Sequence, residues 1–190
     1  MYRPSPMHCW FMKPADAVDE LYRYSMPICE EERQLLLSMG ICDHAIKGDQ
    51  WNPIAGIFSS FVDFYDDGSF LFHENGEKVF VVVEMASFGC VEDFIAFTLD
   101  GRFATSRKTA SLLGTNSIYD PRIAREQWEI FPNPIDWLRG DRAGVVVLDP
   151  NKARWLLCEW SLYCKNNQYA FEISRRLCLP VPCVFTEIDQ

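Results

Sequence analysis

The spacing of apolar and polar positions changes character twice along the chain. Over residues 14–25 the apolar side chains Val18, Leu21 and Tyr22 recur at helical spacing, behind a leading proline and the acids Asp16, Asp19 and Glu20. Proline fits a first helical turn and carboxylates suit a helix N-terminus, so this pattern predicts a helix that Pro27 ends. A second helix is predicted from Glu30 to Met39, with three glutamates in its first turn, a leucine cluster and Gly40 as the stop. The period then shortens to two. FVDFY, SFLFH and KVFVVVE are separated by Asp-Asp-Gly and Glu-Asn-Gly, turn sequences in which glycine accepts the positive φ of tight hairpins. Alternation places Phe70 and Phe72 on one face, and further strands are expected near 92–99 and 102–106.

Beyond residue 107 the two periods mix. A short helix is expected at Pro121–Trp128, a strand at Glu129–Phe131, a helix at Pro134–Arg139 and a buried strand at Gly144–Leu148. Asn151–Cys158 and Asn167–Leu177 read as helices, the latter with Tyr169, Ala170, Ile173 and Leu177 on one face. The closing VFTEI segment, led by Pro180 and Pro182, suits an edge strand. Trp137 and Trp155 are expected as core anchors of their short helices. The predicted fold class is α+β in one domain: a helical N-terminal part (1–50), a central antiparallel meander (51–106) and a mixed α/β part (107–190).

Composition adds bounds more than identity. The 190 residues are 48% hydrophobic, 14% aromatic and 24% charged, as in a packed globular protein. The apolar runs Val79–Val83 and Val145–Leu148 fall far short of the roughly 20 residues of a membrane helix, and prolines interrupt the N-terminus where an export signal would be apolar. A cytoplasmic protein is the expectation. The net charge is −9, and residues 61–100 carry nine acids against one base. Phosphate affinity needs concentrated positive charge, so this balance argues against duplex nucleic acid and for another protein, of basic character, as partner. Candidate partner-binding residues are Asp63, Asp66, Asp67, Glu74 and Glu77, with Trp10 and Trp51 in irregular segments. Residues 101–190 reverse the balance, and Arg122, Arg125, Arg139, Arg142, Arg175 and Arg176 could form a basic face or simply a solvated helix surface.

The usual catalytic signatures are missing: there is no G-x-S-x-G, no phosphate loop and no G-x-G-x-x-G. Cys42-Asp43-His44 supplies the residue types of a nucleophilic site, but neighbours in sequence seldom face one another. Cys158, Cys164, Cys178 and Cys183 form a C-x5-C-x13-C-x4-C series, which either holds zinc or represents free thiols serving as small hydrophobes. Asn52, Asp120, Asn133 and Asp149 each precede a proline; an Asx side chain caps free helix N–H groups, and proline next to it has none to lose. Capping alone accounts for Asp149.

A second reading of Asp149 stays open. KVFVVVE ends on Glu84, and GVVVLDPN ends on Asp149 and Asn151. A glutamate after one hydrophobic strand and a D-x-D after a later one resembles the Toprim domain of primases and topoisomerases. That resemblance implies magnesium held by these acids for phosphoryl transfer. The chain departs from it at Met85, where the family has a small residue, and at Asn151, where it has a second aspartate. Separately, Pro134-Ile135-Asp136-Trp137-Leu138-Arg139 followed by Gly144 to Asp149 resembles a block in uncharacterised bacterial proteins, some carried by phage or plasmids. The leading expectation is therefore a non-enzymatic accessory or protein-interaction protein of bacterial or mobile-element origin, without cofactor. The alternative is a Toprim-like, magnesium-dependent nucleic-acid-processing enzyme using Glu84, Asp149 and Asn151.

Overall fold

The computed structural model describes residues 14–48, 52, 54–86, 90–115, 127–177 and 184–186. Among these residues the chain is α+β, with two sheets and six helices. Helix α1 (Pro14–Tyr24) leads through β1 (Ser25–Pro27) to α2 (Glu30–Ser38) and α3 (Asp43–Lys47). The meander follows as β2 (Phe58–Phe64), β3 (Phe70–Phe72), β4 (Glu77–Met85), β5 (Val91–Phe97) and β6 (Phe103–Thr105). These strands form an antiparallel sheet in the order β1-β2-β4-β5-β6, with β3 paired to β2. Gly68, in the Asp-Asp-Gly turn between β2 and β3, has a φ of 79°, the left-handed conformation for which that turn needs glycine.

The C-terminal part alternates strand and helix: β7 (Leu112–Leu113), β8 (Gln127–Phe131), α4 (Pro134–Arg139), β9 (Val145–Val147), α5 (Pro150–Leu157), β10 (Ser161–Cys164), α6 (Asn167–Leu177) and β11 (Val184–Thr186). The sheet order is β11-β10-β8-β9-β7, with β8 through β11 mutually parallel and β7 antiparallel at the edge. From β8 the chain first winds outward to β9, then returns past β8 to β10 and β11. Right-handed crossovers require helices on opposite faces for opposite winding directions. The packing agrees. Ile135, Trp137 and Leu138 of α4 lie in a core with Phe80, Val82, Phe97, Leu113, Phe131 and Val146, which joins the two sheets. Ala153 and Leu157 of α5 and Ile173 and Leu177 of α6 pack with Trp128, Ile130, Val145 and Leu162 on the other face. Helix α1 covers the far side of the first sheet through Ala17 and Leu21.

The predicted helices and strands recur here with bounds shifted by at most three residues, the largest shift being at β2, which starts at Phe58 where FVDFY starts at Phe61, and with three corrections. Gln127 and Trp128 belong to strand β8; residues 121–126 of the expected helix lie outside the described residues. Trp155 is not a core anchor: it is 70% exposed, because it stands about 200° around the helix from both Ala153 and Leu157, which bury the inner face. Arg142 belongs to no basic face. Its guanidinium is buried, donates to the carbonyls of Ala45 (2.8 Å) and Ala55 (2.7 Å), and lies over the Trp137 ring; burial pulls its pKa down to about 10. No helix among the described residues is long and apolar enough to cross a membrane.

Candidate functional site

In an open parallel sheet, ligands bind beyond the C-terminal ends of strands where the winding direction reverses. That point here lies between β8 and β10. A cleft of about 290 Å³ opens there, lined by Glu129, Phe131, Pro132, Asp136, Arg139 and Lys165 among others. Its depth is set by strand alternation. Trp128 and Ile130 point into the α5–α6 core, which turns Glu129 toward the α4 face. Register pairs Tyr163 with Glu129, so the Tyr163 hydroxyl donates to Glu129 Oε2 at 2.6 Å. Lys165, two residues on and on the same face, brings its Nζ to 3.1 Å from Glu129 Oε1 and 3.3 Å from Oε2. Glu129 is buried while the lysine remains largely exposed.

The other side of the cleft is the start of α4. Asn133 caps this helix by accepting from the Asp136 amide at 2.9 Å, and its Nδ2 donates back to Asp136 Oδ2 at 3.0 Å. Arg139 Nη1 donates to Asp136 Oδ1 at 2.9 Å, and Arg139 Nε to the Met39 carbonyl at 2.9 Å. Both carboxylates of the cleft are therefore engaged by donors of the protein itself. Asn166 closes the rim as the cap of α6, its Oδ1 accepting from the Tyr169 amide at 2.9 Å.

The residues expected to be catalytic do not converge. Glu84, at the end of β4, is buried and accepts from the amides of Gly114 (2.7 Å) and Thr115 (3.0 Å). Burial raises its pKa from the ordinary 4.5 to about 7, against opposing hydrogen bonds from Thr115 and Gly114. Asp149 stands at the other end of the β7–β9 ladder, where its own amide donates to the Ser111 carbonyl. Three residues of strand, about 10 Å, separate Ser111 from Gly114. Glu84 and Asp149 thus stand at opposite ends of this ladder, each accepting from backbone amides of its own. Asp149 instead caps α5, accepting from the amides of Asn151 (3.0 Å) and Lys152 (3.4 Å). Asn151 serves in that cap through its backbone, the cap being the reading that the Asx-Pro pattern supported.

The acidic candidates are also accounted for locally. Asp63 pairs with His73 at 2.8 Å, Asp67 with Lys108 and Glu77 with Arg102, while Asp66 and Glu74 are exposed turn residues. Trp10 and Trp51 lie outside the described residues, as do Cys178 and Cys183; Cys158 is exposed and Cys164 buried. Among the described residues no group of three His, Cys, Asp or Glu side chains is placed to hold a metal ion. Sequence reasoning passed over Glu129, Tyr163 and Lys165. The legible signal was an acid at an alternate position of a strand followed by Asn-Pro, but what it faces depends on a strand 34 residues away.

No protein-family model and no curated relative matches the chain. Solved structures do. The chain superposes on the primase of Aquifex aeolicus (zinc-binding and RNA polymerase domains) with a TM-score of 0.55 at 15% identity, covering 91% of this chain and 53% of that one. For the DnaG catalytic core the TM-score is 0.54 at 13% identity, over 86% of this chain and 65% of that one. A DnaG primase catalytic domain bound to single-stranded DNA gives 0.51 at 14% identity, over 85% and 66%. The chain is similar in fold to primase catalytic domains. It spans about half to two thirds of the length of those structures.

This likeness corrects two expectations. The accessory, protein-binding role was inferred from the missing catalytic signatures, and the argument against duplex nucleic acid from a net charge of −9, yet the neighbours are primase domains, one described as bound to single-stranded DNA. Net charge is a whole-chain sum, whereas strand binding is decided by the few groups at one cleft. The meander's acids sit on the first sheet, and the switch-point cleft belongs to the second.

Proposed function

We propose that the chain is a nucleic-acid-processing protein of the primase type, which engages a single strand at the cleft between the exits of β8 and β10. The observation that carries this reading is the position of the Lys165 ammonium at the winding-reversal point of a parallel sheet. Open clefts at that point take ligands, and a lysine at the rim gives a phosphate its point charge. The similarity in fold to primase catalytic domains supports the class of ligand. Phosphate contacts supply affinity and position without reading sequence, so binding is expected to be tolerant of sequence and steeply weakened by salt.

The test is fluorescence anisotropy of a labelled single-stranded oligonucleotide titrated with the whole chain at low and moderate salt. Saturable binding that weakens with salt, and weakens at least several-fold further in Lys165→Ala, is the expected result. Equal affinity of wild type and Lys165→Ala, with both folded by circular dichroism, would move the strand to another surface. Absence of binding even at low salt would overturn the reading.

A further inference from the structure

We infer that this cleft binds its strand without a divalent ion, the Lys165 ammonium on Glu129 supplying the positive charge that a metal-dependent site at the same exits would take from its cation. The inference deepens the reading above and rests on it. The Toprim resemblance implies acids at strand exits, one after an early strand and a D-x-D after a later one. Here β8 leaves the sheet through Phe131-Pro132-Asn133, and β10 through Cys164-Lys165-Asn166-Asn167. Neither exit carries a carboxylate. The positions two apart after β10 hold a cation and an amide.

The two carboxylates that do reach the cleft make poor metal ligands. Both oxygens of Glu129 face Lys165 Nζ, and one also accepts from Tyr163. Both oxygens of Asp136 are held, one by Asn133 and the other by Arg139. Magnesium demands near-octahedral oxygen ligation and is usually bound through free carboxylates with waters and substrate phosphates. An incoming ion would have to displace an ammonium and a guanidinium from their partners, leaving two cations beside a third. Lys165 in turn compensates a buried carboxylate, while its largely exposed ammonium, with three donors, still faces the cleft for a phosphate oxygen.

Metal-dependent and lysine-dependent binding respond to magnesium with opposite sign. Where the protein's own cations contact phosphate, magnesium competes as a counterion and weakens binding; where the ion bridges, its removal abolishes binding. The experiment has two arms on the whole chain. In the first, manganese alone is titrated and the free-ion electron paramagnetic resonance signal is read. Wild type is expected to leave the signal unchanged, whereas the double variant Lys165→Asp, Asn167→Asp, which writes two carboxylates two residues apart, is expected to reduce it. In the second, oligonucleotide anisotropy is compared in EDTA and in magnesium at matched ionic strength, with affinity in EDTA expected to equal or exceed that in magnesium.

Manganese uptake by wild type that is lost in Glu129→Gln would overturn the inference, as would a tenfold or greater loss of strand affinity in EDTA. If the double variant fails to fold, the wild-type manganese titration still decides. If no strand binds under either condition, the proposed function falls while the manganese arm continues to judge the metal claim separately.

Discussion

The carboxylate of Glu84 and the amide of Gly114 meet at 2.7 Å inside the protein, tying the last residues of β4 to the exit of β7 and so the first sheet to the second. Gly114 has a φ of 92°, and a Cβ there would lie 2.4 Å from the Gly144 carbonyl oxygen and 2.8 Å from Trp137 Nε1, so only glycine lets this joint close. The joint has a pH dependence. Burial holds the Glu84 proton up to about pH 7, above the ordinary 4.5, with Glu92 adding to the rise. Between those values the folded chain binds more protons at this site than the unfolded chain, so stability is full below about 4.5 and declines as pH rises through about 7. Thermal melts across this range are expected to show that decline in wild type and a flatter profile in Glu84→Gln, which carries no titrating proton. An equal slope in both would assign the decline elsewhere.

Asp93 organises the crossing from the first sheet to the second. It is fully buried and accepts from the amides of Phe94 (2.9 Å), Arg107 (2.9 Å), Thr109 (2.9 Å) and Ala110 (3.3 Å), and from the Ser106 hydroxyl (3.0 Å). Removing the acceptor leaves several buried amides without partners, each costing about 1–3 kcal/mol. Asp93→Ala is therefore expected to lose roughly 3 kcal/mol or more by urea denaturation, or to fail to fold. A loss below about 1 kcal/mol would mean that water or a shifted loop replaces the carboxylate.

Asp149 should behave as a cap. Asp149→Ala is expected to cost about 1 kcal/mol of stability and Asp149→Asn far less, since asparagine caps comparably. Neither change should alter strand affinity in the anisotropy assay, because the cap lies on α5, outside the β8–β10 cleft lining. A selective loss of binding in Asp149→Asn with unchanged stability would return this residue to the candidate site.

Two tryptophans separate burial from helix membership. Trp137 is 4% exposed and its indole donates to the Gly144 carbonyl at 2.9 Å; Trp155 is 70% exposed with Arg154 over its ring. Trp137→Ala is expected to cost about 3–5 kcal/mol. Trp155→Ala should stay within about 0.5 kcal/mol. Guanidinium denaturation of both variants checks the contrast, and a large loss in Trp155→Ala would show that its exposed face is covered in solution.

Elements whose causes are local were legible in the sequence. The Asx-Pro starts of α4 and α5, the glycine turn between β2 and β3 and the apolar stripe of α6 each depend on residues a few positions apart, where hydrogen bonds and steric limits act directly on the backbone. Which strands adjoin was not legible. Strands of three to five residues such as β8, β9 and β10 carry too few alternations to declare a partner, and parallel pairing is set by the helices that cross between them. Two hydrophobic strands ending in acids therefore looked equivalent, although Glu84 closes an antiparallel strand onto a neighbouring sheet and Asp149 starts a helix. Residues 129, 163 and 165 carry no recognisable motif. Only the parallel register of β8 with β10 brings the glutamate, the tyrosine and the lysine to one face, because side-chain direction in a sheet is fixed by pairing across tens of residues.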